Sequence, residues 1–376
     1  MTQKLKVLTV VGTRPEIIRL AATIKRLDRY TDHILVHTGQ NYDYELNEVF
    51  FENLGLRRPD HFLEADTRSL GALLGTTLTK IESVLTAEAP DAMLVLGDTN
   101  SCISALMARR MKIPVYHMEA GNRCFDENVP EEVNRRLVDH VADYNLVYTE
   151  HARRNLLAEG IHPSRIMLTG SPMREVLSAN AEGIAASDIL ERQNLTPDGY
   201  FLVSLHREEN VDSVERLTSV LHGLSQLSTA YGLPVLVSTH PRTRKRLDVL
   251  PEASKGGLTF HPPFGFHDYV ALQQSAKVVL SDSGTISEES AILGFPAVTL
   301  RDFIERPESI DTAGIMAVGV SPDAIADGVR IVLDEYIADG APAAPAEYDV
   351  SDTSRRVVGF IRSTVHNHRQ RTGIRP

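Results

Sequence analysis

Three carboxylates stand at positions in the sequence from which they could perform acid–base chemistry on one ligand. Asp98 follows the apolar run 92–96 in the segment GDTNS, and Glu119 follows the run 113–118 in HMEAGNR. Glu131 comes later, in PEEVNRR. Carboxylates gathered around one pocket raise each other's proton affinity, which suits general acid and base catalysis near neutral pH. For Glu131 a structural role is equally well supported, because a glutamate after a proline is common in the first turn of any helix.

Two histidines follow apolar runs in the second half of the chain. His206 comes after the run 200–205, in HREEN, and His240 comes after the run 234–239, in THPR. An imidazole titrates near neutral pH and can serve a sugar or phosphate oxygen. A hydrogen-bonded structural histidine is the alternative at both positions, and at His240 it is at least as well supported. His206 is therefore the stronger candidate for a role in the chemistry.

The segment SDSGTISEE predicts a phosphate-binding loop. The small residues Ser283, Gly284 and Thr285 join an apolar run to a helix, where backbone N–H groups at the helix N-terminus bind anions. Glu289 lies one helical turn after Thr285, so its carboxylate could accept hydrogen bonds from both hydroxyls of a ribose. A glutamate there would also complement the helix dipole. The loop and the glutamate together predict a nucleotide site.

Arginines after two other apolar runs could add charge to a phosphate site. Arg14 lies in VGTRPE, directly after the run 5–11, and Arg306 lies in ERPE, after the run 296–300. A guanidinium there can form charge-assisted hydrogen bonds with an anion. Taken alone, VGTRPE is also compatible with an ordinary strand–helix connection, because it lacks the GxGxxG pattern of dinucleotide-binding folds.

The elements that must position these residues are apolar runs, each followed by a turn and a segment with helical spacing. The runs lie at 5–11, 33–38, 92–96, 113–118, 145–149 and 166–169 in the first half, and at 200–205, 234–239, 277–281 and 296–300 in the second. Such alternation predicts parallel sheets with helices on both faces. We therefore expect two doubly wound α/β domains that bind ligands at the carboxyl ends of their strands.

Two domains also agree with the length of 376 residues, because single hydrophobic cores stop growing beyond about 250–300 residues. We expect the first domain at residues 1–175 and the second at 198–351, with the polar stretch 180–198 as a linker. The remaining segment, 352–376, predicts a helix and a polar, basic tail. That tail is expected to fray, with His366 and His368 in solvent rather than bound to a metal.

Composition excludes several classes of function. A formal net charge of −11 argues against binding to a nucleic acid, which requires a basic face. No stretch is long enough to span a membrane, and the first apolar run ends at Gly12, too early for a signal peptide. The two cysteines, Cys102 and Cys124, imply no disulfide framework. These features favour a cytoplasmic protein.

Seven motifs, VGTRPE, GDTNS, HMEAGNR, PEEVNRR, LHREEN, DSGTISEE and ERPE, together resemble the non-hydrolysing UDP-N-acetylglucosamine 2-epimerase family. The resemblance runs from about residue 5 to about residue 365. It implies a glycosyltransferase-B-like fold, in which two Rossmann-like domains face a cleft and the final helix packs back on the first domain. It also implies a homodimer that interconverts UDP-GlcNAc and UDP-ManNAc, or related UDP-2-acetamido sugars, with no metal or other cofactor.

Matched position by position, the resemblance assigns a role to each candidate. It implies acid–base roles for Asp98, Glu119 and Glu131, and an essential histidine at His206. It implies UDP contacts at Arg14, Ser283, Gly284, Thr285, Glu289 and Arg306. Further contacts to sugar or phosphate are expected at Arg19, Arg123, Arg135 and His240. The implied mechanism removes the C2 proton with loss of UDP, giving a bound 2-acetamidoglucal, and UDP then adds back while C2 is protonated from the other face.

The chain departs from the family pattern at three places. Arg19 replaces a lysine, and Gly284-Thr285 replaces a Gly-Gly pair in the phosphate loop. The segment 38–45, TGQNYDYE, replaces a QHREM-like segment that is implicated in activation by substrate. We therefore expect weak or absent activation by UDP-GlcNAc. Together with GDTNSC and AGNRCFD, this segment resembles the branch that forms UDP-N-acetyl-L-fucosamine.

Three other functions remain open at this point. A UDP-sugar glycosyltransferase would share the fold and the UDP site but would leave C2 unchanged. A hydrolysing epimerase would release UDP and free N-acetylmannosamine. A non-catalytic UDP-sugar sensor is disfavoured, because it would not need the carboxylates at Asp98, Glu119 and Glu131.

Overall fold

The structure is a computed structural model that describes residues 4–39, 50–126, 128–251, 256–302 and 304–373. The chain divides into two compact units, one of Met1–Ala179 with Asp349–Pro376 and one of Asn180–Tyr348. Each unit is built around one parallel sheet with helices between its strands. The predicted fold class, with two doubly wound parallel α/β domains, is therefore confirmed.

The first unit contains a seven-stranded sheet. Its strands are β1 Lys6–Val11, β2 Asp32–His37, β3 His61–Phe62, β4 Ala92–Leu96, β5 Val115–Met118, β6 Tyr144–Val147 and β7 Ile166–Leu168. They are ordered β3-β2-β1-β4-β5-β6-β7. Its helices up to the unit boundary are α1 Arg14–Tyr30, α2 Leu70–Glu88, α3 Ala105–Arg110, α4 Pro130–Val141, α5 Glu150–Ala158 and α6 Met173–Ala179. A 3-10 turn, Asn100–Ser104, follows β4, and another, Pro163–Arg165, precedes β7.

The second unit contains a six-stranded sheet. Its strands are β8 Phe201–Leu205, β9 Val235–Thr239, β10 Leu258–His261, β11 Val278–Ser281, β12 Ala297–Thr299 and β13 Met316–Ala317. They are ordered β10-β9-β8-β11-β12-β13. Its helices are α7 Ala181–Ala185, α8 Ile189–Arg192, α9 Glu208–Val211, α10 Val214–Tyr231, α11 Pro241–Leu247, α12 Phe266–Ser275, α13 Ile286–Leu293, α14 Pro307–Asp311 and α15 Pro322–Asp339.

Burial explains why the central strands are almost continuously apolar. Every residue of β4 is buried, as is every residue of β11. Helices cover both faces of such strands, so neither face carries the polar residues of a half-exposed strand. In each sheet the strand order reverses between two central neighbours, β1 and β4 in the first and β8 and β11 in the second. Ligands of open α/β sheets bind beside such reversals.

Three strands were not predicted from the sequence. They are β3, β10 and β13, and each lies at an edge of its sheet. β3 and β13 have only 2 residues each, which is too short to show any hydrophobic period. β10 has the sequence LTFH, and none of its residues is fully buried. Edge strands have a neighbour on one side only, so they need fewer apolar residues.

The expected linker at 180–198 is instead part of the second unit. It contains α7 and α8, and Ile189 is 1% exposed in a core cluster with Tyr200 and Leu202. Its polar composition misled the prediction, because the few apolar residues that anchor it are spaced along two short helices. The second unit thus begins at Asn180.

The last helices, α16 Thr353–Thr364 and α17 His368–Thr372, belong to the first unit. Thr353 Oγ1 donates to Ser171 O at 3.0 Å, and Thr364 Oγ1 lies 2.7 Å from Tyr116 Oη. The expectation that both tail histidines lie in solvent was wrong for His368, which is 1% exposed and packs edge-on to Tyr144. Its aromatic partner lies far away in the sequence, so the polar tail gave no indication of this contact. No helix among the described residues is long and apolar enough to span a membrane.

Candidate active site

Asp98 and Glu119 lie next to each other at the carboxyl edge of the first sheet. β4 and β5 pair in parallel register through Leu96 and Met118, and each strand leads directly into the loop that carries one of the two carboxylates. Glu119 Oε2 is 3.7 Å from the position that a Cβ on Gly97 would occupy. The Glu119 carboxylate therefore reaches over the residue that precedes Asp98. The structure brings these two predicted residues together.

Glu119 has a strained backbone and a cationic neighbour. Its φ is +63°, in the left-handed region that residues other than glycine rarely adopt and that costs about 1–2 kcal/mol. Strain of this kind is concentrated at functional sites. Its carboxylate forms an ion pair with Arg19 of α1, and both side chains are almost fully buried. A guanidinium in contact with a carboxylate favours its ionised form, the form in which a carboxylate accepts a proton.

Asp98 is held by α4. Arg135 Nε and Nη2 each lie 2.7 Å from Asp98 Oδ2, and Asn134 Nδ2 donates to the Asp98 carbonyl at 2.8 Å. The other end of the Arg135 guanidinium contacts Glu132 Oε2 at 3.1 Å. Burial alone would raise the pKa of Glu132, but hydrogen bonds from the Cys124 backbone and the charge of Arg135 hold it below its ordinary value. Arg135 thus connects Asp98 to a second, ionised carboxylate.

Glu131 lies in the first turn of α4 and is partly buried. Asn134 and Arg135 follow it by one helical turn, so the three side chains share a face of the helix, the face that contacts the Asp98 loop. No hydrogen bond or ion pair joins the Glu131 carboxylate to another residue in the described ranges. The helix start that made a structural role plausible is therefore also a position beside Asp98.

A buried network lies beneath both loops. His117 Nε2 lies 2.8 Å from the carbonyl oxygen of Gly97, and His117 Nδ1 lies 2.9 Å from Asp139 Oδ1. A carbonyl can only accept, so Nε2 carries a proton. Asp139 also accepts from the Gly121 N–H at 3.2 Å and pairs with Arg123 Nη1 at 2.8 Å. The network ties the Asp98 loop and the Glu119 loop to α4.

This placement corrects the expectation for Arg123. The sequence suggested a contact to sugar or phosphate, but the Arg123 side chain is 0% exposed. Besides Asp139, it contacts Glu159 through Nε at 2.8 Å and Nη2 at 2.7 Å. Arg123 therefore pairs with the buried Asp139 and the partly buried Glu159. Its side chain does not extend to the carboxyl edge of the sheet.

Glu16 joins the β1–α1 loop to the turn after β4. Its Oε2 accepts from the N–H groups of Gly12 at 2.8 Å and Thr13 at 2.7 Å, and its Oε1 accepts from Ser101 Oγ. Complete burial raises its pKa to about 6, although these hydrogen bonds act in the opposite direction. Arg14 begins α1 beside this carboxylate, with its guanidinium carbon 5.7 Å from the Phe50 ring centroid. Hydrogen bonds to the buried Glu16 carboxylate therefore hold the loop that carries Arg14.

His206, in the second unit, is oriented by a buried aspartate. His206 Nδ1 lies 3.0 Å from Asp282 Oδ1, and the His206 side chain is 38% exposed whereas that of Asp282 is 0% exposed. Burial would raise the pKa of Asp282, but the charge and hydrogen bonds of His206 and the Arg207 N–H hold it below its ordinary value. The aspartate engages Nδ1, which leaves Nε2 as the ring nitrogen that can meet a ligand.

The phosphate loop follows β11 as predicted and leads into α13. Ser283 Oγ lies 2.9 Å from Thr285 Oγ1 and accepts from the Thr285 N–H at 3.3 Å. The N–H of Gly284 makes no hydrogen bond to another residue of the described part of the chain. Small side chains and an unused N–H at a helix N-terminus suit an anion.

Arg306 holds this loop through a hydrogen bond to its backbone. Its Nε donates to the carbonyl of Gly284 at 2.8 Å, and its Nη1 lies 3.1 Å from Glu288 Oε1. Arg306 is 3% exposed, so its charge adjoins the loop without projecting into solvent. Arg207 Nη2 lies 3.3 Å from Glu305 Oε1 and 3.7 Å from the position that a Cβ on Gly284 would occupy. Two guanidinium groups therefore lie close to the loop.

Glu289 and His240 complete the predicted residues of the second unit. Glu289 lies on α13, is 9% exposed, and its Oε2 accepts from Gln273 Nε2 at 2.6 Å. His240 caps the N-terminus of α11, where its Nδ1 accepts from the Arg242 N–H at 3.3 Å. That cap gives His240 a structural function of the kind the sequence left open.

Several residues of the site were not predicted. They are Glu16, Glu132, Asp139, Asp282 and Gln273, which contact the predicted residues or their loops. Asp282 and Glu132 lie inside recognised motifs, but only three-dimensional contacts show what they orient. Residues 40–45 of the segment 38–45 lie outside the described residues, so reduced activation by UDP-GlcNAc stays a prediction. Within the described ranges, no three His, Cys, Asp or Glu side chains are grouped as metal ligands.

Comparison with known proteins agrees with this arrangement. A family model described as UDP-N-acetylglucosamine 2-epimerase matches residues 25–362. The structure of UDP-N-acetylglucosamine 2-epimerase from Rickettsia bellii is 43% identical, with a TM-score of 0.90 over 98% of this chain and 99% of that chain. The UDP-GlcNAc 2-epimerase of Methanocaldococcus jannaschii, solved in complex with UDP-GlcNAc and UDP, is 35% identical, with a TM-score of 0.88 over 96% and 100% of the two chains. The UDP-2,3-diacetamido-2,3-dideoxy-D-glucuronate 2-epimerase of Pseudomonas aeruginosa is 35% identical over 95% of this chain and 99% of its own.

Proposed function

The chain belongs to the UDP-N-acetylglucosamine 2-epimerase family, and we propose that it inverts C2 of a UDP-2-acetamido sugar by eliminating UDP and adding it back. The family and the glycosyltransferase-B-like fold expected from the motifs are confirmed. The enzyme is accordingly an isomerase. What remains to be tested is its sugar, its mechanism and the role of each residue.

One observation carries the mechanistic proposal, namely the adjacent placement of Asp98 and Glu119 at the carboxyl edge of the first sheet. Inversion by elimination needs one group to remove the C2 proton and another to deliver a proton to the opposite face. Two carboxylates with different partners suit two such roles. Glu131, on the same face of α4 as Arg135, is the third candidate.

We assign stabilisation of the departing UDP to residues of the second unit and to Arg14. A C2 proton of a sugar is barely acidic, so its removal must accompany cleavage of the C1–O bond. Negative charge then develops on the diphosphate, where the phosphate loop and the charges of Arg14 and Arg306 would stabilise it. His206, with Nδ1 held by Asp282, would contact the departing group through Nε2. The same contacts would retain UDP for the return step.

The identity of the sugar is open among three substrates. UDP-GlcNAc is supported by the relatives from Rickettsia bellii and Methanocaldococcus jannaschii. The Pseudomonas aeruginosa relative supports UDP-2,3-diacetamido-2,3-dideoxy-D-glucuronate at the same 35% identity as the Methanocaldococcus jannaschii relative and at similar coverage. The motifs GDTNSC and AGNRCFD favour the 6-deoxy-L-talose and L-fucosamine pair. All three substrates carry a 2-acetamido group and share one reaction at C2.

Proton NMR in D₂O tests the proposal with each of the three UDP-sugars offered alone. We expect inversion at C2 for at least one substrate, with solvent deuterium replacing the C2 hydrogen of the product. Unchanged configuration with every substrate would indicate a transferase, and release of UDP with a free sugar would indicate a hydrolysing enzyme. An inverted product that retains its original C2 hydrogen would contradict the elimination mechanism.

The resemblance further supports a cytoplasmic homodimer. Sedimentation velocity of the full chain would test the dimer, and fractionation of the source cells would test the location.

A further inference from the structure

Gln273 is a buried amide that donates a hydrogen bond to Glu289. Gln273 lies on α12 and is 0% exposed. Its Nε2 donates to Glu289 Oε2 of α13 at 2.6 Å. Its Oε1 is buried and has no hydrogen-bond partner among the described residues. The amide is therefore engaged on its donor side only.

This orientation of the amide depends on an ionised Glu289. A carboxylate oxygen only accepts hydrogen bonds, so it must face the NH₂ group of Gln273 and not the carbonyl oxygen. Glu289 is 9% exposed, so few water molecules can reach its carboxylate, and Gln273 supplies that carboxylate with a neutral donor.

The buried Gln273 Oε1 atom shows that an amide at this position lowers the stability of the fold. A buried acceptor without a partner loses its hydration and gains nothing in return. A methionine or leucine would fill the same volume without that loss. Packing alone therefore does not account for an amide at this position, whereas orientation of the Glu289 carboxylate does.

We propose that Gln273 is a positioning residue for recognition of the ribose, which holds one oxygen of Glu289 so that the carboxylate faces the two ribose hydroxyls. This inference rests on the proposed function, which assigns Glu289 to the ribose of UDP. A carboxylate that is held by a hydrogen bond from Gln273 has fewer rotamers to lose when the ribose binds. Preorganisation of this kind increases affinity. Gln273 touches no substrate and acts through Glu289.

Calorimetric titration with two ligands tests the inference on the full-length protein. UDP carries both ribose hydroxyls, and 2′,3′-dideoxy-UDP carries neither. We expect Gln273→Met to weaken UDP binding about tenfold, the size expected for partial loss of a hydrogen bond to a charged group. Binding of 2′,3′-dideoxy-UDP should be unchanged. Gln274→Met is the matched control, because Gln274 is the exposed neighbour on the same helix, and it should affect neither ligand.

Three further variants locate the effect at Glu289. Glu289→Ala should weaken UDP binding more than Gln273→Met does, and the double variant Gln273→Met/Glu289→Ala should bind UDP no more weakly than Glu289→Ala alone. Gln273→Glu keeps the shape of the side chain. Its protonated form can still donate to Glu289, whereas its ionised form repels Glu289, so the ratio of its UDP affinity to that of the wild type should fall as pH rises.

The outcomes separate failure of this inference from failure of the proposed function. Equal weakening of both ligands by Gln273→Met, or no weakening of either, would overturn the positioning role, as would an affinity ratio between Gln273→Glu and the wild type that does not change with pH. If Glu289→Ala binds UDP as the wild type does, the ribose assignment itself is wrong. If the wild type binds no UDP, the nucleotide site and with it the proposed function fail.

Discussion

The proposed chemistry depends on three carboxylates with different surroundings. Asp98 is paired with Arg135, Glu119 is paired with Arg19, and Glu131 has no partner among the described residues. An asymmetric set of this kind suits a reaction that removes a proton on one face and delivers one on the other. Because the three carboxylates have different partners, variants of the three residues should lower kcat by different amounts.

We expect Asp98→Asn, Glu119→Gln and Glu131→Gln each to lower kcat by about 10²–10⁴, because each keeps the side-chain volume and removes proton transfer. UDP affinity should change little. Exchange of C2 hydrogen with D₂O and UDP titration measure the two properties separately. A matched control is Glu82→Gln, at an exposed glutamate outside the site, which should leave kcat unchanged. Near-wild-type turnover in all three variants would show that this edge of the sheet is not the active site.

Glu16 predicts a pH-dependent stability. Burial raises its pKa from 4.5 to about 6, so the folded state binds this proton more tightly than the unfolded state. The free energy of unfolding therefore falls as pH rises through this range, and the loss reaches about 2 kcal/mol once the pH is well above the folded-state pKa of about 6. Glu16→Gln should abolish that loss, because its carbonyl can accept from Gly12 and Thr13 while its NH₂ donates to Ser101.

Thermal unfolding at pH 4.5 and pH 7.5 measures this difference. We expect Glu16→Gln to unfold at a higher temperature than the wild type at pH 7.5 and at the same temperature at pH 4.5. Glu82→Gln, at an exposed glutamate, should show no such change between the two conditions. A Glu16→Gln variant that is less stable at pH 7.5 would mean that the lost charge–dipole contacts outweigh the relief of burial.

The sequence indicated candidate site residues but not the partners that hold them. The type of a residue and its place after an apolar run were enough to select Asp98, Glu119 and His206. Nothing local to Asp98 indicates that Arg135 will hold it, because that contact depends on how α4 packs on the sheet. Arg123 shows the converse error, since a charged residue in a recognised motif was assigned to the ligand while the fold uses it in the interior.

At the scale of elements, every strand with a neighbour on each side was predicted, whereas of the four edge strands only β7 was, through the apolar run 166–169. The central strands need apolar residues on both faces, so their sequences identify them. β3, β10 and β13 are stabilised through backbone hydrogen bonds to one neighbour, and their composition carries little information. The consequence for function is small, because the proposed site residues follow central strands. The edge strands contribute none of them.

The Asp139 network should matter to both stability and turnover, because it joins β4, β5 and α4. Asp139→Asn leaves the buried charge of Arg123 with one carboxylate partner fewer, and loss of a buried partner costs about 3–5 kcal/mol. We expect a lower unfolding temperature and a lower kcat, with UDP affinity unchanged. Calorimetry, turnover and UDP titration measure these three quantities.

An exposed aspartate provides the control for this variant. The Asp188 side chain is 66% exposed and pairs with Arg192, so Asp188→Asn should change stability by less than about 1 kcal/mol. If Asp139→Asn unfolds at the wild-type temperature, the network does not stabilise the sheet edge. If only stability falls and kcat is retained, the network supports the fold without positioning the carboxylates.

At the scale of the whole molecule, the predicted residues divide by function between the two units. The first unit carries the carboxylates, and the second carries the phosphate loop, Glu289 and His206. Arg14 is the predicted UDP contact that lies in the first unit. The chain passes from one unit to the other at Ala179–Asn180 and returns at Tyr348–Asp349, so the closing helices belong to the unit that carries the proposed acid–base carboxylates.

This division predicts that variants in the two units change different kinetic constants. Glu289→Ala should raise KM about 10- to 100-fold and leave kcat nearly unchanged, because contacts to the ribose are the same in the ground state and the transition state. Asp98→Asn should lower kcat and leave KM nearly unchanged. The first substitution affects binding and the second affects proton transfer. The fold-decrease in kcat/KM of the double variant should therefore equal the product of the fold-decreases of the two single variants.

Steady-state kinetics of the two single variants and the double variant test this division, together with deuterium incorporation at C2 at saturating substrate. At saturation, Glu289→Ala should incorporate deuterium as fast as the wild type, because binding no longer limits it. A low kcat for Glu289→Ala would place that carboxylate in the chemical step and remove the ribose assignment. A double variant much more active than the product predicts would mean that the two residues act on one step, and the assignment of binding and proton transfer to separate units would then be wrong.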